Sequence, residues 1–259
     1  MSNFVSVAEA REASGMRLIV AEGVPGPWAE GIRGVLDYKS IPYIRGRFEM
    51  AGPHDDLIAW SAQASVPVIA WEDEFPRSAW VDQIFLAERV QATPSVIPDT
   101  IEDRMRMFGL LAEICTPGGF GWCRRLMLVH NGLTAPGWPA ETRPFFENFG
   151  AKYGYTPAAA EAAGPRVVEI LKALDGCLAA QEARGSRYFI GDAPTALDIY
   201  WAGFSHLIEP LPASLCPMIE DFRPMYVNTD NAVAAAATQR LMDHREFIYR
   251  EHLGLPMAL

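Results

Sequence analysis

Ser65-Val66-Pro67-Val68-Ile69-Ala70-Trp71, followed by Glu72-Asp73-Glu74 and Phe75-Pro76-Arg77-Ser78, is the stretch from which the rest of this chain is read. Val66 to Trp71 has the composition of a short strand with one proline near its start. Proline lacks the amide hydrogen that a central strand needs, so the plain reading is an edge strand with proline at its first position. The alternative is a cis Val66–Pro67 bond, which leaves the Val66 backbone groups free for a peptide-like ligand laid alongside. Beyond the acidic turn, Arg77-Ser78 ends an expected hairpin and opens an amphipathic helix, with Val81, Ile84, Phe85 and Glu88 at helical spacing. Ser78 at that start is placed to cap the helix, and the amides there suit an anion.

Upstream, Arg17-Leu18-Ile19-Val20-Ala21 reads as a buried strand. The loop Glu22-Gly23-Val24-Pro25-Gly26-Pro27 leads into a helix from Trp28 to about Tyr38, with Pro27 in its first turn. Tyr43 to Phe48 alternates as a half-exposed strand, and His54 to Gln63 gives a short helix. The order β-α-β-α-β-β-α over residues 16–91 predicts an α/β domain of one sheet with helices on both faces. Residues 1–15 read as an N-terminal arm with one helical turn, Val7 to Glu12. Downstream, residues 92–98 (Ala92-Thr93-Pro94-Ser95-Val96-Ile97-Pro98) read as a linker, and no strand pattern follows it.

Residues 99–259 read as an all-helical domain. Ile101, Met105, Phe108, Ala112 and Cys115 mark one helix, and Trp122 to His130 a second after the break at Pro117-Gly118-Gly119-Phe120-Gly121. Later helices carry Val167, Leu171, Leu174 and Leu178, then Leu197, Trp201, Phe204 and Ile208. The last one carries Val233, Ala237, Leu241, His244 and Ile248. Thr195 and Asp198, three residues apart ahead of an apolar run, form a capping box, a structural device rather than a substrate contact.

Composition narrows the function classes. The 259 residues are half hydrophobic and carry a formal net charge of −10. No Lys/Arg run exceeds Arg124-Arg125, which speaks against nucleic acid. The cysteines Cys115, Cys123, Cys177 and Cys216 show no metal-ligand or redox spacing, so reduced thiols and no metal are expected. No apolar run reaches a membrane span, and the N-terminus lacks a secretory pattern, so a cytoplasmic protein is expected.

Strand, Val66-Pro67, hairpin and Ser78 at a helix start, together with Gly191-Asp192 ahead of Thr195 and Asp198, resemble the glutathione transferase family. The two signals fall in both halves of the chain in the family's order. The resemblance implies a thioredoxin-like domain followed by an all-helical domain, glutathione as co-substrate, a small electrophile as second substrate, and a homodimer. It implies glutathione contacts at Val66, Pro67, Arg77, Ser78 and His54, and a second-substrate pocket near Phe108, Phe120 and Arg124.

Two departures from the family pattern bear on chemistry. Where the family places a Ser, Cys or Tyr before the first helix, this chain has Gly26, so thiolate stabilisation falls to backbone amides near Gly26 and Trp28. Gly26 would then serve a tight turn. Where an acidic residue commonly precedes the Ser, this chain has Arg77, which either pairs with Glu74 or clamps a second anionic group. The first expectation is an enzyme that conjugates, isomerises or reduces an electrophile. The alternatives are a non-catalytic binding protein for glutathione or an acidic small molecule, and a glutathione-independent enzyme with Glu22 or His130 as base.

Overall fold

The computed structural model describes residues 4–259; Met1, Ser2 and Asn3 of the expected arm lie outside the described residues. Four short strands form one sheet in the order β1-β3-β2-β4, with β1 Phe4–Val5, β2 Met16–Val20, β3 Tyr43–Arg47 and β4 Val68–Trp71. β2 is parallel to β3 and antiparallel to β4, with Ile19 opposite Val68 and Val20 opposite Arg47. Every residue of β2 is buried, as its apolar run demands of a central strand. The one charge in it, Arg17, turns back to donate to the carbonyls of Gly15 and Glu72 at 2.7 and 2.6 Å.

The segment before Gly15 is built into the sheet. β1 pairs in parallel with β3, and α1 (Val7–Glu12) buries Ala10 in a small core with Ile19, Leu57 and Val68. Three further helices, α2 (Pro27–Tyr38), α3 (Asp55–Ser61) and α4 (Trp80–Val90), complete this half. The expected hairpin after β4 is reduced to a single bridge, Ile69 to Arg77. Pro76 supplies no amide hydrogen, so pairing cannot extend through it. The Val66–Pro67 bond is cis.

The second half is helical: α5 (Ile101–Cys115), α6 (Phe120–Thr134), α7 (Arg143–Tyr153), α8 (Pro157–Glu182), α9 (Ala196–Phe204), α10 (Asn231–Ala236) and α11 (Gln239–Ile248). The final helix expected over Val233–Ile248 is two helices. Thr238 interrupts it and caps α11, its hydroxyl accepting from the Leu241 amide at 3.4 Å. α7 has no counterpart in the sequence reading.

The two halves meet where α2 crosses α9. A Cβ on Gly31 would lie 2.6 Å from the Tyr200 ring, and one on Gly34 would lie 2.6 Å from Ile199, so only glycine permits this approach. The residues between the halves are anchored too. Lys39 Nζ donates to Glu88 at 2.8 Å and to the Pro94 carbonyl at 2.5 Å, while the Ala196 amide donates to the Val96 carbonyl at 2.8 Å.

Candidate functional site

The sheet register brings the sequence candidates to one end. Because Val68 stands opposite Ile19, Val66 and Pro67 lie beside the end of β2, where the loop to α2 begins. β3 runs parallel to β2 and finishes at the same end, where the Phe48 amide donates to the Val20 carbonyl at 2.9 Å. His54 stacks on Phe48 with ring centroids 4.4 Å apart, which puts it here as well. The antiparallel bridge at Arg77 carries the chain back, so Ser78 returns to this end. Ligands of open α/β sheets bind beyond the carboxyl ends of parallel strands, as this arrangement permits.

Backbone groups dominate the site. Gly26 is the N-cap of α2 and has no side chain to satisfy the first turn. Its own amide is taken by the Val24 carbonyl at 2.8 Å, and Pro27 has none, so the free donors are the amides of Trp28 and Ala29. Two donors at the positive end of a 12-residue helix suit a thiolate or carboxylate. The amide and carbonyl of Val66 make no hydrogen bond among the described residues. Gly26 is not required by the turn: its φ of −60° and ψ of 121° suit any residue, and a Cβ there would meet only Ala29 at 3.6 Å. The turn that calls for glycine is at Gly23, with φ +71° and Ile219 2.9 Å from the place of a Cβ.

Ser78 does not cap α4. The N-cap is Ala79, which offers no side-chain oxygen, so the first-turn amides of α4 are also uncapped. The Ser78 hydroxyl has no partner among the described residues. Arg77 ion-pairs with Glu74 at 3.2 Å and donates to the Phe75 carbonyl, which leaves its guanidinium turned toward its own turn. Glu22 ion-pairs with Arg47 at 2.7 Å. Gln83, fully buried in α4, holds the strand end together, its Nε2 donating to the carbonyls of Pro67 and Arg77 at 3.1 Å each. Sequence reasoning passed over Gln83; its signal is a polar residue in the buried stripe with Ile84 and Ala87.

The three residues expected to form a second-substrate pocket are not brought together. Phe120 is 0 % exposed and packs edge-on against Trp201 with centroids 5.7 Å apart, so it is core and lines no pocket. Phe108 stacks on Phe85 across the outer face of α4 and α5, at 5.4 Å. Arg124 lines a cavity between helices of the second half. The glycine-rich break before α6 also serves packing, since a Cβ on Gly121 would meet Phe204 at 2.5 Å and Trp28 at 3.0 Å. Trp28 instead defines the wall beneath the α2 start. Its indole donates to the Cys115 carbonyl at 3.0 Å, and its ring meets Phe204 and Tyr153 at 4.9 and 6.4 Å.

Tyr153 comes from α7 and brings a second layer. Arg125 is buried against Phe149 and Tyr226, with its guanidinium 5.5 and 5.3 Å from their ring centroids. Burial pushes the Tyr153 hydroxyl up, and Arg125 offsets part of that rise. Burial likewise pushes Lys152 down, with Arg125 adding to the effect. The missed signal for α7 is the spacing of Phe146, Phe149 and Tyr153. The cysteines are all free, and burial pushes the Cys115 thiol well above its ordinary value, which makes it a poor nucleophile.

Thr195 and Asp198 form their cap at the start of α9, away from these groups. Asp198 accepts from the Thr195 amide at 2.8 Å and hydroxyl at 2.7 Å, from the Phe189 amide at 2.9 Å, and faces His244 Nε2 at 2.9 Å. Among the described residues no cluster of three or more His, Cys, Asp or Glu side chains is placed to hold a metal, and no helix is long and apolar enough to cross a membrane.

No protein-family model and no curated protein sequence matches the chain. Its structure is similar to solved ones. A glutathione S-transferase from Xanthobacter autotrophicus superposes with a TM-score of 0.57 at 14% identity, covering 94% of this chain and 98% of that one. A glutathione transferase family member from Pseudomonas fluorescens, with two glutathione bound, gives 0.56 at 14%, covering 95% and 99%. A bacterial maleyl pyruvate isomerase, a zeta-class glutathione S-transferase, gives 0.50 at 20%, covering 88% and 95%. Likeness at such identities concerns architecture, and on that level the chain has the glutathione transferase fold.

Proposed function

We propose that this protein binds glutathione at the end of the sheet where α2 begins, and acts there on a small electrophile by conjugation, isomerisation or thiol-dependent reduction. One observation carries the reading: the free Val66 amide and carbonyl lie at the same end of the sheet as the uncapped first turns of α2 and α4. A γ-glutamyl-cysteinyl-glycine ligand presents a peptide backbone, a carboxylate at each end and a thiol, which these three features complement. The cysteinyl backbone pairs with Val66, the γ-glutamyl carboxylate meets the α4 start with Ser78, and the thiolate meets the amides of Trp28 and Ala29. His54 stands near the glycyl carboxylate. Arg77 stays with Glu74 and takes no part. The electrophile sits against Trp28 and Tyr153 rather than Phe108 or Phe120. The reading includes a homodimer in the cytoplasm, for which Phe85 and Met105, 43 % and 69 % exposed, supply apolar surface.

A second reading, a binding protein without turnover, is favoured by Gly26, which has no hydroxyl or thiol to donate to the sulfur. Calorimetric titration with glutathione tests what the two readings share. Saturable heat is expected, and Ser78→Ala should weaken binding by about 1 kcal/mol, the scale of one lost hydrogen bond. No heat and no thermal stabilisation at millimolar glutathione would overturn both. Release of a thioether product from glutathione and an activated aryl chloride then separates enzyme from binder.

A further inference from the structure

Arg124 is 7 % exposed and forms no ion pair among the described residues; its Nε donates to the Leu207 carbonyl at 2.9 Å and its Nη1 touches Met127 Sδ at 3.5 Å. It lines a cavity of about 530 Å³ between α6, α8 and residues 224–230, a size suited to a small organic ligand. All the lining residues belong to the helical half, so this cavity is separate from the end of the sheet that holds Gly26, Val66 and Ser78.

The charges around the cavity are arranged as an ion pair that does not close. Burial, joined by the neighbouring Arg125, pushes Arg124 down to about 10, and only the charge of Asp230 opposes this. Asp230 also lines the cavity, but no contact joins it to Arg124. Its Oδ1 caps α10, accepting from the amides of Ala232 and Val233 at 2.8 and 2.9 Å, and its Oδ2 faces α8, 3.6 Å from the place of a Cβ on Gly164. Glu161 adds a second carboxylate from the exposed side of α8. Asn131 accepts from the Trp138 indole at 2.9 Å. Because an indole N–H only donates, the atom it meets is the amide oxygen, so Asn131 Nδ2 is left as a donor among the groups that line the cavity. Met127, Trp138 and Met225 give the cavity apolar wall.

We propose that this cavity is a second ligand site that takes a small zwitterion, an amino acid with an apolar side chain. Its carboxylate meets Arg124 and Asn131 Nδ2, and its ammonium meets Asp230 and Glu161. A simple anion would satisfy Arg124 but face both carboxylates, and a simple cation would face the buried guanidinium. A molecule carrying both charges closes the separated pair from within, with its side chain against Trp138 and the methionines.

Calorimetric titration of the full chain with L-phenylalanine, phenylacetate and phenethylamine tests this. Phenylalanine should saturate, with the two half-charged analogues at least about tenfold weaker, the scale of one lost charge-assisted hydrogen bond. Asp230→Asn keeps an oxygen to cap α10 while removing the charge; it should weaken phenylalanine about tenfold and leave phenylacetate unchanged or tighter. Arg124→Met should abolish binding of phenylalanine and phenylacetate alike, and if that variant fails to fold, the Asp230→Asn comparison still decides. No saturable heat with phenylalanine, equal affinity for phenylacetate, or indifference of phenylalanine to Asp230→Asn would overturn the proposal.

Discussion

The starts of α9 and α2 are two solutions to the same problem, the unpaired amides of a helix's first turn. At α9 the Asp198 carboxylate, 0 % exposed, receives two amides, a hydroxyl and a histidine edge, all within 2.7–2.9 Å. At α2 the cap is Gly26, the next residue is proline, and the amides of Trp28 and Ala29 have no side chain to receive them. A helix start whose cap side chains are tied up by its own chain offers them to no ligand, whereas an uncapped one at a sheet end keeps free donors. The first holds the fold, and the second is where function is sought.

That contrast breaks most visibly at Asp198. Asp198→Ala leaves the buried amides of Phe189 and Thr195 without acceptors, at about 1–3 kcal/mol for each orphaned group, so a total loss of about 2–6 kcal/mol is expected. Urea unfolding measures it. A loss under about 1 kcal/mol would show that the α9 cap is dispensable and remove the structural half of the comparison.

The far end of the same helix gives a pH-dependent effect. His206 follows α9, fully buried, with Nε2 3.0 Å from the Tyr249 hydroxyl. Burial, reinforced by Arg245, Arg33 and Arg223, pushes it from 6.5 down to about 3. The unfolded chain therefore takes up this proton before the folded one. The contribution of neutral His206 is fully present above pH 6.5 and is lost as pH falls toward 3, at up to about 1.4 kcal/mol per pH unit. His206→Gln should flatten the dependence of unfolding free energy on pH between neutrality and acid. An unchanged slope would assign acid sensitivity to carboxylates elsewhere.

How much of this was legible in the sequence follows from how local each signal is. The Thr195/Asp198 pair and the β2 run are written in neighbouring residues, and the structure has both, whereas β4 begins at Val68, two residues after the expected start at Val66. What Asp198 does beyond Thr195 depends on His244, forty-six positions away, which no local pattern reveals. Phe120 lies within a glycine-rich break, and the family resemblance placed it in a second-substrate pocket. Gly121 instead lets Phe204 and Trp28 close over the start of α6, a contact between helices far apart in sequence. Ser78 was displaced from its expected capping role by one residue, within the ordinary uncertainty of a helix boundary. α7 starts just beyond Pro136 and Pro139, and the proline in its own first turn, Pro144, is compatible with a helix.

The smallest structural change carries the sharpest functional test. Gly26→Ser adds a hydroxyl at the open helix start, where φ is −60° and a Cβ would find ordinary contact with Ala29 at 3.6 Å. Exchange between glycine and serine at an N-cap changes stability by only a few tenths of a kcal/mol, about 0.3. Activity is where the variant should differ. A hydroxyl donating to the glutathione sulfur should raise kcat/KM toward an activated aryl chloride by up to about a hundredfold to a thousandfold, the scale of one preorganised donor. Gly26→Ala alters the backbone freedom without the donor and should leave activity where it was. If serine and alanine act alike, the missing hydroxyl is not what limits thiolate chemistry at the α2 start. Its two free amides would then have to be assigned to a carboxylate rather than to sulfur.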